Sequence, residues 1–228
     1  MAKGVETRSL KVMSQVVREV LGSVKLAVLS GPNIAREVAL KMPAAASVAS
    51  NDARTAKRVR EIFSTEYFTL FESSDMLGVE LGGSLKNVIA LCAGMVEGMG
   101  LGSNTRALLL ARGIAEMARL GEAMGAKRET FMGLSGLGDL ATTCLSPHSR
   151  NRSLGCEIGK GKKLKDILKE TEMVVEGVET AKAAHRLAKK YKVPMPISEA
   201  VYKILFENEK PELAVAALLH SGLRRELD

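Results

Sequence analysis

Aromatic residues are scarce in this chain: tryptophan is absent, and aromatic residues make up only 4% of its 228 residues. Proteins that bind single-stranded nucleic acid on a sheet stack the bases against exposed aromatic side chains. The composition therefore argues against such a platform. With 21 glycines and 46% apolar residues, it is more typical of a helix-rich enzyme with a sizeable core.

Cysteine is also rare. Cys92, Cys144 and Cys156 are odd in number and match neither a disulfide framework nor paired metal-ligand spacing. The three histidines are scattered and lack carboxylates at ligand spacing, so no metal site is expected. This cysteine usage makes the cytoplasm the expected compartment.

Targeting features are missing from the N-terminus, since MAKGVETRSLK has no apolar core of the signal-peptide kind. We also expect no apolar run long enough to span a bilayer, and hence no membrane insertion. The net charge of +7 favours an anionic partner. It does not distinguish nucleic acid, acidic lipid headgroups and phosphorylated metabolites.

The hydrophobic periodicity changes near residue 75. Before it, the β-type runs LAVLSG, AASVAS and YFTLFES alternate with amphipathic helical runs, which predicts a parallel or mixed sheet covered by helices. After it, the pattern predicts helices only. We therefore predict an α/β domain over residues 1–75 and an all-helical domain over 76–228. The helices predicted in the second domain cover 76–98, 104–124, 129–135, 151–159, 164–170, 178–191, 197–206 and 211–219.

A strand, glycine-rich turn and helix usually open a nucleotide-binding α/β domain, and this chain shows no such beginning. Three glycine clusters lie in the helical half instead, without a preceding strand, and are rejected as dinucleotide fingerprints: GMGLGSN, GLSGLGD and GCEIGKG. A sheet of about three strands with an unpaired edge strand is not expected to be stable on its own. We therefore expect either a second chain that completes the sheet or a longer parent protein.

Lys86 lies in GVELGGSLKNVIALCAGMVEG, a segment that is apolar or small on nearly every side. A lysine on such a helix usually reaches water along its aliphatic stem. If the helix holds it inside, desolvation lowers its pKa and makes it a candidate acid or base.

The richest polar stretch, LSGLGDLATTCLSPHSRNRSLG, covers residues 134–155. Its arginines, hydroxyl groups and a helix start after Ser149 have the chemistry of an oxyanion site. The alternative is an ordinary turn and helix cap with two solvated arginines.

Six motifs, taken in this order, resemble the NAD(P)-dependent glycerol-3-phosphate dehydrogenases. They are KGVE, SGPNIAREVA, GVELGGSLKNVIALCAG, LSGLGDLATTC, SRNR and VVEGVET. The resemblance runs from Lys3 to the C-terminus and lacks the family's N-terminal segment. It implies the remaining part of a Rossmann-type sheet followed by an all-α substrate domain, and a role in making glycerophospholipid precursors.

The resemblance implies that Lys86 is the catalytic lysine, exchanging a proton with the substrate oxygen, and that Asp139 orients it. It also implies that NAD or NADP carries the hydride. The implied substrate-binding residues are Lys3, Gly31, Asn33, Lys86, Asp139, Thr143, Ser149, Arg150 and Asn151. The implied cofactor-binding residues are Lys3, Ala35, Arg150, Val174 and Glu176.

Alternative functions stay open. A nucleic-acid binder is motivated by KRVREIF and SGLRREL, although the charges are spread rather than striped; we expect no nucleic-acid partner. A non-catalytic remnant would bind the phosphorylated substrate, or dimerise, without holding the dinucleotide, and we expect this chain alone to show no turnover.

Other β-hydroxyacid-type dehydrogenases also carry a lysine near an asparagine, but DLATTC with SRN favours a phosphorylated substrate. Helical domains of this kind often pair, so a homodimer is one expectation.

Overall fold

The computed structural model describes residues 3–170 and 174–220, and its first part is a small sheet with helices. The central strand β2 (Ala44–Ala49) pairs antiparallel with β1 (Val28–Ser30) and parallel with β3 (Phe68–Ser73). The prediction of a parallel or mixed sheet is thus confirmed as a mixed, three-stranded sheet. The elements are α1 Met13–Leu21, β1 Val28–Ser30, α2 Ala35–Ala39, β2 Ala44–Ala49, α3 Ala53–Phe63 and β3 Phe68–Ser73.

The second part is almost entirely helical. Its helices are α4 Met76–Gly98, α5 Ser103–Ala123, α6 Arg128–Met132, α7 Asp139–Leu145, α8 Arg150–Gly159, α9 Leu164–Glu170, α10 Glu176–Tyr191, α11 Pro196–Phe206 and α12 Pro211–His220. The predicted helices are confirmed within a few residues, except that helix 129–135 ends at Met132 and α7 was not predicted. Leu134–Gly138 form a π-helical turn between α6 and α7. The division into two domains at residue 75 stays a prediction.

The helix α4 runs through the middle of the helical part and is buried along nearly its whole length. Asp75 caps its start by accepting a hydrogen bond from the amide of Gly78 at 2.9 Å. By length and composition α4 could cross a membrane, so the expectation that no apolar run reaches that length was wrong. However, 94% of its most apolar window is buried inside the protein. Its hydrophobicity is therefore that of a core helix.

Glycines bring α8 directly against α4. A Cβ atom on Gly94 of α4 would lie 2.0 Å from the carbonyl oxygen of Arg152, and one on Gly155 of α8 would lie 2.1 Å from that of Leu91. No real side chain tolerates such distances, so the two backbones can approach this closely only because both positions lack a side chain. The contact fixes the first half of α8 against the C-terminal half of α4.

An apolar groove of about 590 Å³ opens between α1, β1, α3 and α4. Val17, Leu29 and Val59 are among the side chains that line it. Beside the groove, Val20 on α1 is 74% exposed and Phe63 on α3 is 56% exposed. Among the described residues, β1 and β3 are the edge strands of the sheet, which agrees with the expectation of a sheet with a raw edge.

Candidate active site

A polar cavity of about 510 Å³ lies where the segment after β1, the middle of α4, and the starts of α7, α8 and α10 meet. Most of the predicted site residues line it, although they come from distant parts of the sequence. These are Lys3, Asn33, Ala35, Lys86, Asp139, Thr143, Ser149, Arg150, Asn151 and Glu176. Gly31 and Val174 do not line it: Gly31 packs behind it against β2, and Val174 is 73% exposed.

Lys86 lies inside the protein, with only 6% of the residue exposed. Its ammonium group donates to Oδ1 of Asp139 and to the hydroxyl oxygen of Thr143 at 2.8 Å. The Thr143 hydroxyl in turn donates to the backbone carbonyl of Asp139 at 2.6 Å. Both partners lie on α7, four residues and about one helical turn apart. The helix that was not predicted therefore holds the lysine.

Burial lowers the pKa of Lys86 to about 8, because desolvation penalises the charged ammonium. The carboxylate of Asp139 opposes this shift, and the nearby ammonium of Lys3 adds to it. At neutral to mildly basic pH the amine can therefore both give and take a proton, as an acid–base group must. The side chain of Lys86 is therefore held inside the protein and does not extend to bulk water along its aliphatic stem.

The other oxygen of Asp139, Oδ2, accepts two hydrogen bonds from the sheet side of the cavity. Lys3 donates to it at 2.7 Å, and the hydroxyl of Ser30 donates to it at 3.0 Å. Asp139 is 3% exposed, so its charge is balanced by lysines rather than by water. Two ammonium groups around one carboxylate leave this end of the cavity positively charged, which suits an anionic ligand.

The start of α8 forms a second polar end of the cavity. The Ser149 hydroxyl caps this helix by accepting from the amide of Arg152 at 3.2 Å. Arg150, the first residue of α8, extends a guanidinium group that pairs with Glu176 at 2.8 Å. A helix N-terminus beside an arginine is suited to binding a phosphate group.

The side chain of Asn151 links three helices. Its amide nitrogen donates to Oδ1 of Asn87 on α4 at 3.1 Å, and its oxygen accepts from the amide of Gly177 on α10 at 2.8 Å. Asn151 is 4% exposed, so both of these hydrogen bonds are made inside the protein. It holds the starts of α8 and α10 against α4.

Two residues that hold predicted site residues in place were not themselves predicted to belong to the site. Ser30 contacts Asp139, and Asn87 contacts Asn151. The signal for Ser30 is its position at the end of a strand just before a Gly-Pro pair. Asn87 stands out in the sequence as a polar residue beside Lys86 in an apolar helix.

The mouth of the cavity carries Asn33 and Ala35, at the start of α2. The Nδ2 atom of Asn33 is buried and has no hydrogen-bond partner in the described part of the protein. A buried amide without a partner is costly, and a ligand acceptor such as a carboxamide oxygen would satisfy it. These residues therefore fit the nicotinamide end of a dinucleotide.

The two basic motifs that motivated a nucleic-acid binder are only partly described by the structure. On α3, Arg60 pairs with Glu72 at 3.0 Å, and the SGLRREL motif lies outside the described residues. Within residues 3–170 and 174–220, no group of three or more histidine, cysteine or acidic side chains could hold a metal ion.

An α/β sheet followed by helices that enclose a buried lysine–aspartate pair is the arrangement expected of the nucleotide-dependent dehydrogenases. The C-terminal model of the NAD-dependent glycerol-3-phosphate dehydrogenases matches residues 75–216, and the N-terminal model matches residues 1–56. The chain belongs to the NAD-dependent glycerol-3-phosphate dehydrogenase family. Because this family is NAD(P)-dependent, the cofactor is NAD or NADP.

Relatives and solved structures agree with this assignment. The glycerol-3-phosphate dehydrogenase [NAD(P)+] of Syntrophotalea carbinolica is 54% identical over 230 residues, covering 100% of this chain and 69% of that protein. The crystal structure of the glycerol-3-phosphate dehydrogenase of Coxiella burnetii is 41% identical, with a TM-score of 0.92, and the match covers 96% of this chain and 67% of that one. The yeast enzyme is 29% identical, with a TM-score of 0.82 over 93% of this chain and 65% of that one. The fold is thus the remaining part of a Rossmann-type sheet followed by a mostly helical domain.

Proposed function

We propose that the cavity is the substrate and proton-transfer site of an NAD(P)-dependent glycerol-3-phosphate dehydrogenase, which interconverts sn-glycerol 3-phosphate and dihydroxyacetone phosphate. The observation that carries the proposal is the buried Lys86, with a pKa lowered to about 8 and held by Asp139 and Thr143. The same cavity contains Arg150 at the start of α8. Together these groups supply an acid–base residue and a phosphate-binding residue.

Lys86 is the proton-transfer group in this proposal. During ketone reduction its ammonium donates a proton to the carbonyl oxygen, and during alcohol oxidation the neutral amine accepts the hydroxyl proton. When bound, the nicotinamide cofactor supplies or accepts the hydride at the adjacent carbon. Asp139 and Thr143 orient the amine toward the cavity, so that the proton moves in a fixed direction.

The phosphate group is assigned to the start of α8. Arg150 offers a planar pair of donors, and the free amides of the first helical turn point in the same direction. The Ser149 hydroxyl keeps its own proton available while it caps the helix. Asn151 acts here by holding α8 in place, and Lys3 adds positive charge at the opposite end of the cavity. Asn33 borders the substrate at the strand end, and Gly31 packs behind the cavity against β2, so its predicted substrate contact stays a prediction.

The cofactor is assigned to the mouth of the cavity, where Ala35, Arg150 and Glu176 lie. Val174 is exposed just before α10 and is assigned to the same side. The described residues contain no glycine-rich turn between a strand and a helix. The groups that hold the pyrophosphate are therefore not assigned to this part of the chain.

Two measurements test the proposal. Dihydroxyacetone phosphate is supplied to the protein with NADH or NADPH and turnover is followed, and glycerol 3-phosphate and each dinucleotide are titrated separately by calorimetry. Turnover supports the dehydrogenase. Binding of glycerol 3-phosphate without dinucleotide binding supports the non-catalytic alternative, and failure to bind any of these ligands contradicts both.

The remaining partner is a second copy of the chain. Three exposed apolar side chains support a homodimer, because helical domains of this kind bury such side chains when they pair: Leu101 just before α5, Leu108 on α5 and Leu145 at the end of α7. Sedimentation equilibrium tests it: a monomer at tens of micromolar would contradict it.

A further inference from the structure

Ser30 is the last residue of β1, and its side chain is buried against the catalytic carboxylate. The residue is 3% exposed, and its hydroxyl donates to Oδ2 of Asp139 at 3.0 Å. Asp139 itself is the first residue of α7. This hydrogen bond therefore connects the sheet to the helix that holds Lys86.

The two oxygens of Asp139 have separate partners. Oδ2 accepts from Ser30 and from Lys3, whereas Oδ1 accepts from Lys86. A carboxylate can rotate about its terminal torsion, which is broad and roughly two-fold. Its orientation is therefore set by whichever donors are themselves fixed.

Ser30 is the more rigid of the two donors on Oδ2. Its side chain is short and stands on a paired strand, where Ser30 faces Ser47 of β2. Lys3 reaches Oδ2 on a long flexible side chain that is 21% exposed. Of these two donors, the hydroxyl of Ser30 constrains the plane of the carboxylate more strongly.

We propose that Ser30 is a positioning residue, whose hydroxyl fixes the carboxylate of Asp139 so that Oδ1 stays on the ammonium group of Lys86. Its consequence for catalysis rests on the function proposed above. The hydrogen-bonding role itself concerns only the protein's own side chains.

Gly83 provides a second way to disturb the same hydrogen bond. It lies on α4, and a Cβ atom there would come 2.4 Å from Oγ of Ser30. The obstructing atom is the end of a small rotatable side chain, so the hydroxyl can turn away at little cost to the fold. Gly83→Ala therefore removes the hydroxyl from Asp139 while Ser30 stays in the sequence.

The test follows the titration of the Lys86 side chain by NMR in the 228-residue protein, for the wild type, Ser30→Ala and Gly83→Ala. The described groups that act on Lys86 are Asp139, Lys3 and the buried thiol of Cys144. When the carboxylate turns away, Lys86 loses its opposing charge while burial stays. We expect the midpoint to move down by at least about half a pH unit in both variants.

The matched control is Ser50→Ala, which removes a buried hydroxyl that donates to the carbonyl of Leu26 at 2.7 Å on the same sheet. Its Lys86 midpoint should equal that of the wild type. An unchanged or raised midpoint in the two test variants, or an equal downward shift in the control, would overturn the proposal. If Ser30→Ala does not fold, the Lys86 titration midpoint of Gly83→Ala tests the proposal.

The NMR titration of Lys86 needs neither substrate nor cofactor, so a failure of this proposal can be distinguished from a failure of the proposed function. A wild-type protein without turnover or ligand binding counts against the dehydrogenase and leaves the titration result standing. Where turnover is measured, Ser30→Ala should lower kcat by about tenfold and change the KM for glycerol 3-phosphate by less than about twofold. A raised KM with unchanged kcat would contradict positioning.

Discussion

The guanidinium group of Arg150 lies 2.8 Å from the carboxylate of Glu176, which joins the first residue of α8 to the first residue of α10. The residue proposed to bind the substrate phosphate is thus already paired with an anion in the protein. Both side chains are partly exposed, at 44% and 33%, so water and salt screen the pair. A phosphate group must compete with this carboxylate or share the arginine with it.

Replacing Arg150 with lysine should weaken binding of glycerol 3-phosphate. The charge remains, but the planar pair of donors is lost, so the binding free energy should fall by about 1.5–3 kcal/mol. Calorimetry measures the effect. Glycerol, which has no phosphate, should show no difference, and Arg54→Lys on the exposed start of α3 is the control. An equal loss for glycerol would show that Arg150 does not contact the phosphate.

Replacing Glu176 with glutamine should have the opposite effect. An exposed ion pair contributes about 0.2–1 kcal/mol, so removing the competing carboxylate should strengthen binding of glycerol 3-phosphate by up to about fivefold at low salt. The same calorimetric titration measures it. Weaker binding in this variant would instead mean that Glu176 holds Arg150 in its binding position.

In a version of the protein that also carries the family's N-terminal segment, replacing Lys86 with alanine should lower turnover by more than about 100-fold, because positioned proton transfer contributes about 10²–10⁴ to a rate. Lys86→Met keeps the packing of the stem and should lose as much. Circular dichroism checks that both variants fold. Lys189→Ala on the exposed face of α10 is the control. A Lys86 variant that keeps more than about a tenth of the wild-type rate would contradict the acid–base role.

The pH dependence follows from the lowered pKa of Lys86. Oxidation needs the neutral amine, so its rate should rise with pH through about 8, and reduction needs the ammonium, so its rate should fall over the same range. In the unfolded chain this lysine titrates near 10.5, and the unfolded state therefore binds more protons between about 8 and 10.5. This group's contribution to stability should rise with pH across that window and be lost as pH falls through about 8.

Initial rates in both directions and denaturant unfolding across this pH range measure these effects. Lys86→Met should lose the stability increase that belongs to this group. An oxidation rate that does not change between pH 7 and 9 would contradict the assignment.

Replacing Gly94 with alanine should separate α4 from α8. The added Cβ atom would lie 2.0 Å from a backbone carbonyl, which cannot turn away as a side chain can. We expect destabilisation of about 1–3 kcal/mol or more in urea unfolding, together with weaker phosphate binding. Gly102→Ala, where no atom lies within 4 Å of the new Cβ, should cost less than about 1 kcal/mol. Equal costs at the two positions would contradict this packing.

The sequence was sufficient to predict the elements and many of the residues that line the cavity. Short β-type apolar runs predict the three strands, and period-3.6 patterns predict most of the helices, because each element buries apolar side chains that are close together in the sequence. The all-round apolar character of the segment containing Lys86 predicts a buried helix, but by itself it favours a lysine that reaches water along its stem. The catalytic role of Lys86 was implied by the family resemblance, and its burial was seen only in the structure. Local chemistry also indicates the helix start at Ser149, where the side chain caps the backbone.

The contacts between those residues, which are far apart in the sequence, could be seen only in the tertiary structure. Nothing in the local pattern around Gly133 predicts the π-helical turn that leads into α7, yet α7 carries both partners of Lys86. Ser30 and Asp139 are 109 positions apart in the chain, and only the packing of the sheet against the helices joins them. A sequence pattern shows which surfaces of an element become buried. It does not show what they pack against, because the hydrophobic effect is non-directional. Hydrogen bonds between distant side chains depend on distance and angle, and these exist only once the backbones have packed.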